Sequence, residues 1–163
     1  MLQLIQGFNL ALSLLITMAF AYQGVLMAVG FLRRRQADRY DAPSAAEKRR
    51  YAAVISARNE EAVIGELIES LKDQDYPPEL LDIYVVADNC TDDTAGVARK
   101  AGAFVYERFD QQKKGKGYAM DYLFHRLEEE GKDVYDGYFV FDADNLVDPN
   151  FVSEMNRTFD KGY

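Results

Sequence analysis

Residues Tyr138 to Asn145 read YFVFDADN, an apolar run of strand length that changes within one residue into carboxylates. The aromatic and β-branched residues up to Phe141 are typical of a buried strand. Asp142 and Asp144 follow at positions i and i+2, so both project to the same side if the strand geometry persists. Two like charges about 4 Å apart repel by roughly 4 kcal/mol at an effective dielectric constant of about 20. Because a divalent cation with oxygen ligands offsets such repulsion, the stretch indicates either a Mg²⁺ or Mn²⁺ site or, as the alternative, a polar turn.

Composition limits the class of protein. The chain has 163 residues, a net charge of −8 and 48% hydrophobic residues, which suits one domain with an appendage. The acidic balance argues against nucleic acid as a partner, because nucleic-acid-binding domains present a basic stripe. Cys90 is the only cysteine, so no intrachain disulfide can form, which fits a reducing compartment.

The N-terminal 32 residues carry no charged side chain. Residues 10–32 are mostly apolar, and their number matches a bilayer-spanning helix of about 20 residues. A cleaved signal peptide has basic residues before its apolar run, whereas here Arg33–Arg35 follow it. The sequence therefore predicts a retained transmembrane helix within residues 1–32. The positive-inside rule places Arg33–Arg35 and all that follows in the cytoplasm.

The rest of the chain divides into a basic and polar linker at residues 33–50 and a domain at residues 51–163. In that domain short apolar runs alternate with helical patterns. The predicted strands are residues 52–57, 83–87, 104–106 and 138–141. The predicted helices are residues 61–74, a helix from Thr91 or Asp92 to near Gly102, residues 117–130, and a helix beginning at residues 148–150. This alternation predicts an α/β fold, with βα units forming a mainly parallel sheet covered on both faces.

Polar and charged residues follow every predicted strand, and ligands of parallel α/β sheets bind at the carboxyl ends of the strands. We expect Asn59, just after the first strand, to cap the helix that follows it. Carboxylates at such an edge suit the base, the ribose hydroxyls and a metal, whereas lysines and helix amides suit phosphate. The edge therefore predicts a nucleoside diphosphate site. Its candidate residues are Arg58, Asn59, Glu60, Asp88, Asn89, Cys90, Thr91, Asp92, Lys113, Lys114, Lys116, Asp142 and Asp144.

Four short motifs occur in a characteristic order. They are ARNEE at residues 57–61, VADNCTD at 86–92, GKGYA at 115–119 and FDADN at 141–145. Together they resemble the family 2 glycosyltransferases with the GT-A fold, and the resemblance covers nearly all of residues 51–163. Four motifs in order, each at a strand end, are much more specific than any one of them.

The resemblance implies a GT-A fold with a Rossmann-like nucleotide-binding half. It implies an enzyme that transfers a sugar from a nucleotide-diphosphate sugar, expected to be a UDP-sugar, to a polysaccharide or lipid-linked acceptor. It also implies dependence on Mn²⁺ or Mg²⁺ and inversion at the transferred sugar. The partners are then the donor, the acceptor glycan or lipid, and the membrane.

The resemblance assigns roles to individual residues. Glu60 and Asp88 match residues that line the nucleotide pocket. Asp142 matches the residue that meets the ribose, and Asp144 matches the metal ligand, with Asp142 beside it at the metal. The donor-binding residues expected on this basis are Arg58, Glu60, Asp88, Lys116, Asp142 and Asp144.

Members of the family also carry a later acidic residue that acts as general base. None is recognisable after Asp144, so the base is expected beyond Tyr163, and the chain is expected to be a donor-binding part that is inactive alone. The alternative is a non-catalytic remnant that at most binds nucleotide. We interpret Glu154 and Asp160 as solvated helix residues. The last helix is expected to expose an apolar face formed by Phe151, Val152, Met155 and Phe159.

Overall fold

A computed structural model of the chain describes residues 2–37 and 47–160. The chain divides into two compact units, Met1–Ser44 and Ala45–Tyr163. Part of the predicted linker, residues 38–46, lies outside the described residues, as does the end of the predicted domain, residues 161–163.

Helix α1 (Leu2–Ala37) is the described part of the first unit. Within it, Ile5–Leu32 has a mean hydropathy of 1.9 over its most apolar window and lacks buried positions. These 28 residues extend over about 42 Å at a rise of about 1.5 Å per residue, which exceeds the bilayer's hydrocarbon core of about 30 Å. By length and composition α1 is therefore a candidate membrane span.

The second unit is built on four strands, which are joined by helices as the alternation predicts. The strands are β1 (Tyr51–Ala57), β2 (Leu81–Asp88), β3 (Phe104–Arg108) and β4 (Gly137–Asp142). The helices are α2 (Ile64–Lys72), α3 (Thr94–Ala101), α4 (Lys116–Glu129) and α5 (Phe151–Asp160), and a 3₁₀ turn, Pro78–Leu80, precedes β2.

The four strands form one sheet in the order β3-β2-β1-β4, and every pairing is parallel. This confirms the predicted α/β fold with a mainly parallel sheet. Strand β1 lies between β2 and β4 and is almost entirely buried. A parallel sheet of this kind needs cover on both faces, which explains why β1 and β2 are apolar without alternation.

Helices cover the two faces unequally. On one face Ile55 packs in a core with Leu67 of α2, Ala98 of α3 and Val152 of α5. On the other face α4 is the one helix of the described residues that covers the sheet, and Tyr135 of the following loop packs beside it. The contribution of α4 to the second core comes from Ala119, Leu123 and Leu127, which pack with Ala52, Val54, Tyr84 and Val86.

The expectation that α5 exposes its apolar face is wrong. Val152 is fully buried, and the ring of Phe151 lies 5.4 Å from that of Phe139 and 5.6 Å from that of Phe141. Phe151 and Met155 are half-buried against the same core, and Phe159 is the most exposed of the four, at 38%. The aromatic face of β4 covers α5, so this helix does not depend on further strands for cover.

Candidate functional site

Parallel pairing brings the carboxyl ends of all four strands to one edge of the sheet. In the register, Ser56 of β1 faces Asp142 of β4, and Asp88 of β2 faces Arg108 of β3. The predicted site residues at the ends of β1, β2 and β4 therefore share this edge, and Lys116 joins them at the first turn of α4.

The loop after β1 is tied to the loop after β2 through Asn59. This residue adopts a left-handed conformation with φ of 58°, and its Oδ1 accepts a hydrogen bond of 2.7 Å from the backbone N–H of Thr91. The expectation that Asn59 caps α2 is wrong, because α2 begins at Ile64 and Val63 occupies the cap position without a side-chain hydrogen bond. The asparagine instead bridges two loops, which left-handed asparagines do readily.

Thr94 and Asp92 strengthen the same junction. The buried hydroxyl of Thr94 accepts a hydrogen bond of 2.8 Å from the backbone N–H of Glu60 and donates one of 2.5 Å to Asp92. Asp92 also accepts a hydrogen bond from the N–H of Glu61. Hydrogen bonds from Thr94, its hydroxyl first, lower the pKa of Asp92 below its ordinary value. The two loops consequently form one connected surface.

Two expected donor-binding side chains are free at this surface. Arg58 is exposed and Glu60 is half-buried. Neither the guanidinium of Arg58 nor the carboxylate of Glu60 makes a hydrogen bond or an ion pair within residues 2–37 and 47–160. Both can therefore contact a ligand without breaking an existing contact.

Asp88, by contrast, is buried in an ion pair. Its Oδ1 lies 2.6 Å from Nη1 of Arg108, and the side chains are 4% and 7% exposed. Asn89, which has a left-handed φ of 54°, donates a hydrogen bond of 2.9 Å to the same oxygen. Asn89 also links this pair to the loop after β3, because its Oδ1 accepts a hydrogen bond of 2.9 Å from the N–H of Asp110.

The loop after β3 has its own organising carboxylate. Oδ1 of Asp110 accepts hydrogen bonds from the backbone N–H groups of Gln112, at 2.8 Å, and Lys113, at 3.0 Å. The N–H of Lys113 first, and then that of Gln112, lower the pKa of Asp110. This pattern holds the lysine-containing loop in a defined turn before α4 begins.

The two aspartates of the DAD sequence lie at the end of β4. The strand ends at Asp142, so the strand geometry assumed for both residues does not extend to Asp144. Ala143 between them is nevertheless 5% exposed, whereas Asp142 and Asp144 are both exposed. Asp142 accepts a hydrogen bond of 2.7 Å from Nζ of Lys116, which joins the third and fourth motifs.

Asp142 and Asp144 are the carboxylates of this edge that could bind a divalent cation. Among the described residues, no group of three or more His, Cys, Asp or Glu side chains could hold a metal ion. The only side-chain partner of Asp144 in those ranges is Asn145, whose Nδ2 lies 3.5 Å from Oδ1. Mg²⁺ and similar ions are often bound by one or two carboxylates together with substrate phosphates. The residues therefore fit a metal site that a phosphate ligand completes.

An open groove of about 560 Å³ lies beside α2. Its walls include Glu66, Glu69, Val97 and Leu146. It contains none of the six predicted donor-binding residues, so we do not assign the site to it.

Sequence reasoning missed Arg108, Thr94 and Asp110. The predicted third strand ended at Tyr106, two residues before β3 ends. Had the strand been extended, Arg108 would have appeared as a cation at the carboxyl edge, which is the available signal. The role of Thr94 depends on contacts between loops, for which the local pattern gives no signal.

Comparisons with known proteins bear on this geometry. Residues 48–163 match the model of a family described as glycosyltransferase like family 2. The 4,4'-diaponeurosporenoate glycosyltransferase of Staphylococcus aureus strain USA300 is 42% identical over 69 residues, which are 42% of this chain and 17% of that protein. The chain thus spans about a sixth of the length of this curated relative.

Two solved structures share the fold. The crystal structure of Staphylococcus aureus TarS 1-349 has a TM-score of 0.56 at 20% identity, over 69% of this chain and 32% of that one. The mannosyltransferase PcManGT from Pyrobaculum calidifontis has a TM-score of 0.52 at 20% identity, over 73% of this chain and 35% of that one. At these identities the likeness shows the fold alone.

Proposed function

The chain belongs to the family 2 glycosyltransferases, and from this premise we propose that its carboxyl edge binds a nucleotide-diphosphate sugar, with a UDP-sugar as the first candidate. The fold-sharing TarS has been solved with UDP and with UDP-GlcNAc, and PcManGT with GDP-Man and Mn²⁺. We propose a polysaccharide or a lipid-linked acceptor, which suits a chain with a candidate membrane span.

One observation carries the proposal. Side chains suited to each part of a nucleotide sugar meet at a single edge, and three of them, Arg58, Glu60 and Asp144, are open to a ligand. We propose that Glu60 and Asp88 bind the nucleoside, that Asp142 binds the ribose, and that the cations bind the diphosphate. The cations assigned to the diphosphate are Arg58 and Lys116.

We propose Asp144 as the main protein ligand of Mn²⁺ or Mg²⁺, with Asp142 beside it. When bound, such an ion neutralises the developing charge of the diphosphate leaving group. Asp144 and Asp142 would hold such an ion beside the donor, and Lys116 orients Asp142 through a hydrogen bond of 2.7 Å. In an inverting transfer the acceptor oxygen attacks the anomeric carbon, the bond to the diphosphate breaks, and a general base takes the acceptor proton. We assign no described residue as that base.

The metal assignment gives a first testable prediction. Asp144→Asn keeps the side-chain shape and removes one charge, so Mn²⁺-dependent UDP binding should weaken at least ~10-fold with little loss of fold. Titration calorimetry of the full chain in detergent, with UDP in the presence and absence of Mn²⁺, measures this difference. Asp73→Asn is the matched control, because Asp73 is exposed and follows the C-terminal end of α2.

Equal Mn²⁺-dependent affinity in Asp144→Asn and the unmodified chain would contradict the assignment. Incubation with a panel of nucleotide sugars and glycan or lipid acceptors tests transfer separately. Binding without transfer is the expected result, because no described residue is assigned as the general base. Multiple-turnover transfer would contradict this and would mean that a described carboxylate, Glu154 or Asp160, serves as the base.

A further inference from the structure

Arg108 is the last residue of β3, and its buried guanidinium makes contacts in two directions. Nη1 pairs with Oδ1 of Asp88 at 2.6 Å. Nη2 donates a hydrogen bond of 2.7 Å to the backbone carbonyl of Lys113 and lies 3.3 Å from Oδ2 of Asp110. One side chain thus joins the end of β2 to the loop between β3 and α4.

A buried ion pair by itself is a weak source of stability, because desolvation of the two charges offsets their attraction. What this pair supplies is position. A guanidinium is a planar fork with fixed donor directions, whereas a lysine ammonium is a single point on a flexible stem. Only the fork can contact Asp88 and Lys113 together.

The contacts leave one oxygen of Asp88 available. Oδ1 accepts hydrogen bonds from Arg108 and Asn89. Oδ2 has no hydrogen-bond partner in the described ranges. Among the described residues, the one fully buried side-chain nitrogen or oxygen that lacks a hydrogen-bond partner is Nε of Arg126. Because Oδ2 of Asp88 also lacks a partner, it is not fully buried, and it retains access to solvent. The carboxylate is therefore fixed through one oxygen and presents the other.

The same guanidinium fixes the approach to α4. Residues 109–115 form neither helix nor strand, and the next residue is Lys116, which contacts Asp142. Because Arg108 holds this loop at Lys113, the position of the loop depends on the same group as the orientation of Asp88.

We propose that Arg108 is a positioning residue of the donor site, which orients Asp88 toward the nucleotide and holds the loop that leads to Lys116. This inference rests on the proposed function, because it presupposes that a nucleotide binds at this edge. It adds a residue outside the four sequence motifs and gives it a role that charge alone cannot fill.

The first measurement needs no ligand. Hydrogen–deuterium exchange of the full chain in detergent should be ~10-fold faster or more at the amides of residues 109–115 in Arg108→Lys, while β1 and β2 stay protected. Lysine retains the charge beside Asp88 and loses the bond to Lys113, so this variant separates the fork from the charge. Arg157→Lys is the matched control, because Arg157 is an exposed arginine of α5.

The second measurement is UDP binding with Mn²⁺ by calorimetry. Arg108→Lys should weaken binding by ~10-fold to ~100-fold, as loss of the partner that orients a ligand-binding side chain does at metal sites. Asp88→Asn should weaken it as well. Adding Arg108→Lys to Asp88→Asn should cost less than the sum of the two losses, since both act through one contact.

The outcomes distinguish a failure of the proposed function from a failure of the positioning role of Arg108. If the unmodified chain binds no nucleotide in this assay, the proposed function fails and the positioning role fails with it. If the unmodified chain binds UDP and Arg108→Lys binds it equally well, the positioning role alone is overturned. This holds even if hydrogen–deuterium exchange at residues 109–115 is faster in Arg108→Lys. Arg108→Met is a harsher variant that leaves Asp88 unpaired, and if it does not fold, Arg108→Lys still decides.

Discussion

Asn156 on α5 connects this helix to the start of β1. It is 3% exposed, and its Oδ1 accepts hydrogen bonds from the hydroxyl of Tyr51 at 3.0 Å and from the N–H of Arg49 at 3.3 Å. Its Nδ2 donates a hydrogen bond of 3.1 Å to the carbonyl of Glu47. The amide of Asn156 thus ties the segment that enters the first strand to α5, the last described helix of the domain.

Asn156→Ala should therefore destabilise the domain. Buried donors that lose their acceptor cost about 1–3 kcal/mol each, and we expect the free energy of unfolding to fall by about 2 kcal/mol or more. Urea unfolding of the full chain in detergent measures the change. Thr158→Ala is the control, since Thr158 is exposed on the same helix and its replacement should alter stability by less than about 0.5 kcal/mol. A comparable loss in both variants would refute the role of Asn156.

The buried hydroxyl of Tyr51 should make the stability of the domain depend on pH in the alkaline range. Burial raises the pKa of its hydroxyl from 10.0 to about 12. The folded state favours the neutral phenol, so the stability contribution is complete below pH 10 and is lost as the pH rises toward 12. The free energy of unfolding should fall over this interval, and Tyr51→Phe should show a shallower fall. Some dependence should remain, because burial also raises the pKa of Tyr135 and Tyr138.

Absorbance of tyrosinate gives an independent reading of the same effect, because the chain has 11 tyrosines and no tryptophan. In Tyr51→Phe, the rise in tyrosinate absorbance at the highest pH should be smaller by the contribution of one tyrosine. An unchanged rise at the highest pH would mean that Tyr51 ionises with the exposed tyrosines.

At the scale of elements, the residue that caps a helix contributes to the stability of the domain. Helix α3 ends at Ala101 and is capped by Gly102, which adopts φ of 99° and donates its N–H to the carbonyl of Arg99. A side chain is disfavoured in this conformation, so Gly102→Ala should lower the free energy of unfolding by about 1 kcal/mol. Gly117 is the control. It lies inside α4 with open space around it, so Gly117→Ala should be neutral or stabilising by up to about 1 kcal/mol. Thermal or urea unfolding should show a loss of stability in Gly102→Ala and none in Gly117→Ala, and equal losses would contradict this account of the cap.

The elements also show where prediction from sequence succeeds. All four strands and four helices of the domain were found, because apolar runs and helical faces report burial locally. The starts of α2 and α3 were placed too early, since Glu61 and Asp92 belong to loops that hydrogen-bond to each other. The pairing of Asp88 with Arg108 depends on the register of two strands, which no local pattern specifies. The motif residues at the strand ends were therefore predictable, but the contacts that orient them were not.

At the scale of the whole molecule, charge and hydropathy separate the two units. Arg49 and Arg50 form ion pairs with Asp160 and Asp82, so these basic residues are engaged within the sheet unit. The basic residues that predict the orientation of α1 in a membrane are therefore Arg33–Arg35, which directly follow the apolar segment. The division into a membrane helix at residues 1–32, a linker at 33–50 and an enzymatic domain at 51–163 stays a prediction.

We propose that α1 crosses the membrane once, with Met1 outside and the sheet unit in the cytoplasm. Accessibility of single cysteines to an impermeant maleimide in intact cells tests this topology. Cys90→Ser provides the background, because a serine hydroxyl can replace the weak contacts that Cys90 makes with Asn59 and Ala57. In that background Gln3→Cys should react in intact cells, and Glu128→Cys, an exposed position on α4, should react only after permeabilisation. Reaction of Glu128→Cys alone would reverse the orientation. Reaction of neither cysteine in intact cells would mean that α1 does not carry Met1 across the bilayer, and the charge rule would then have failed for this segment.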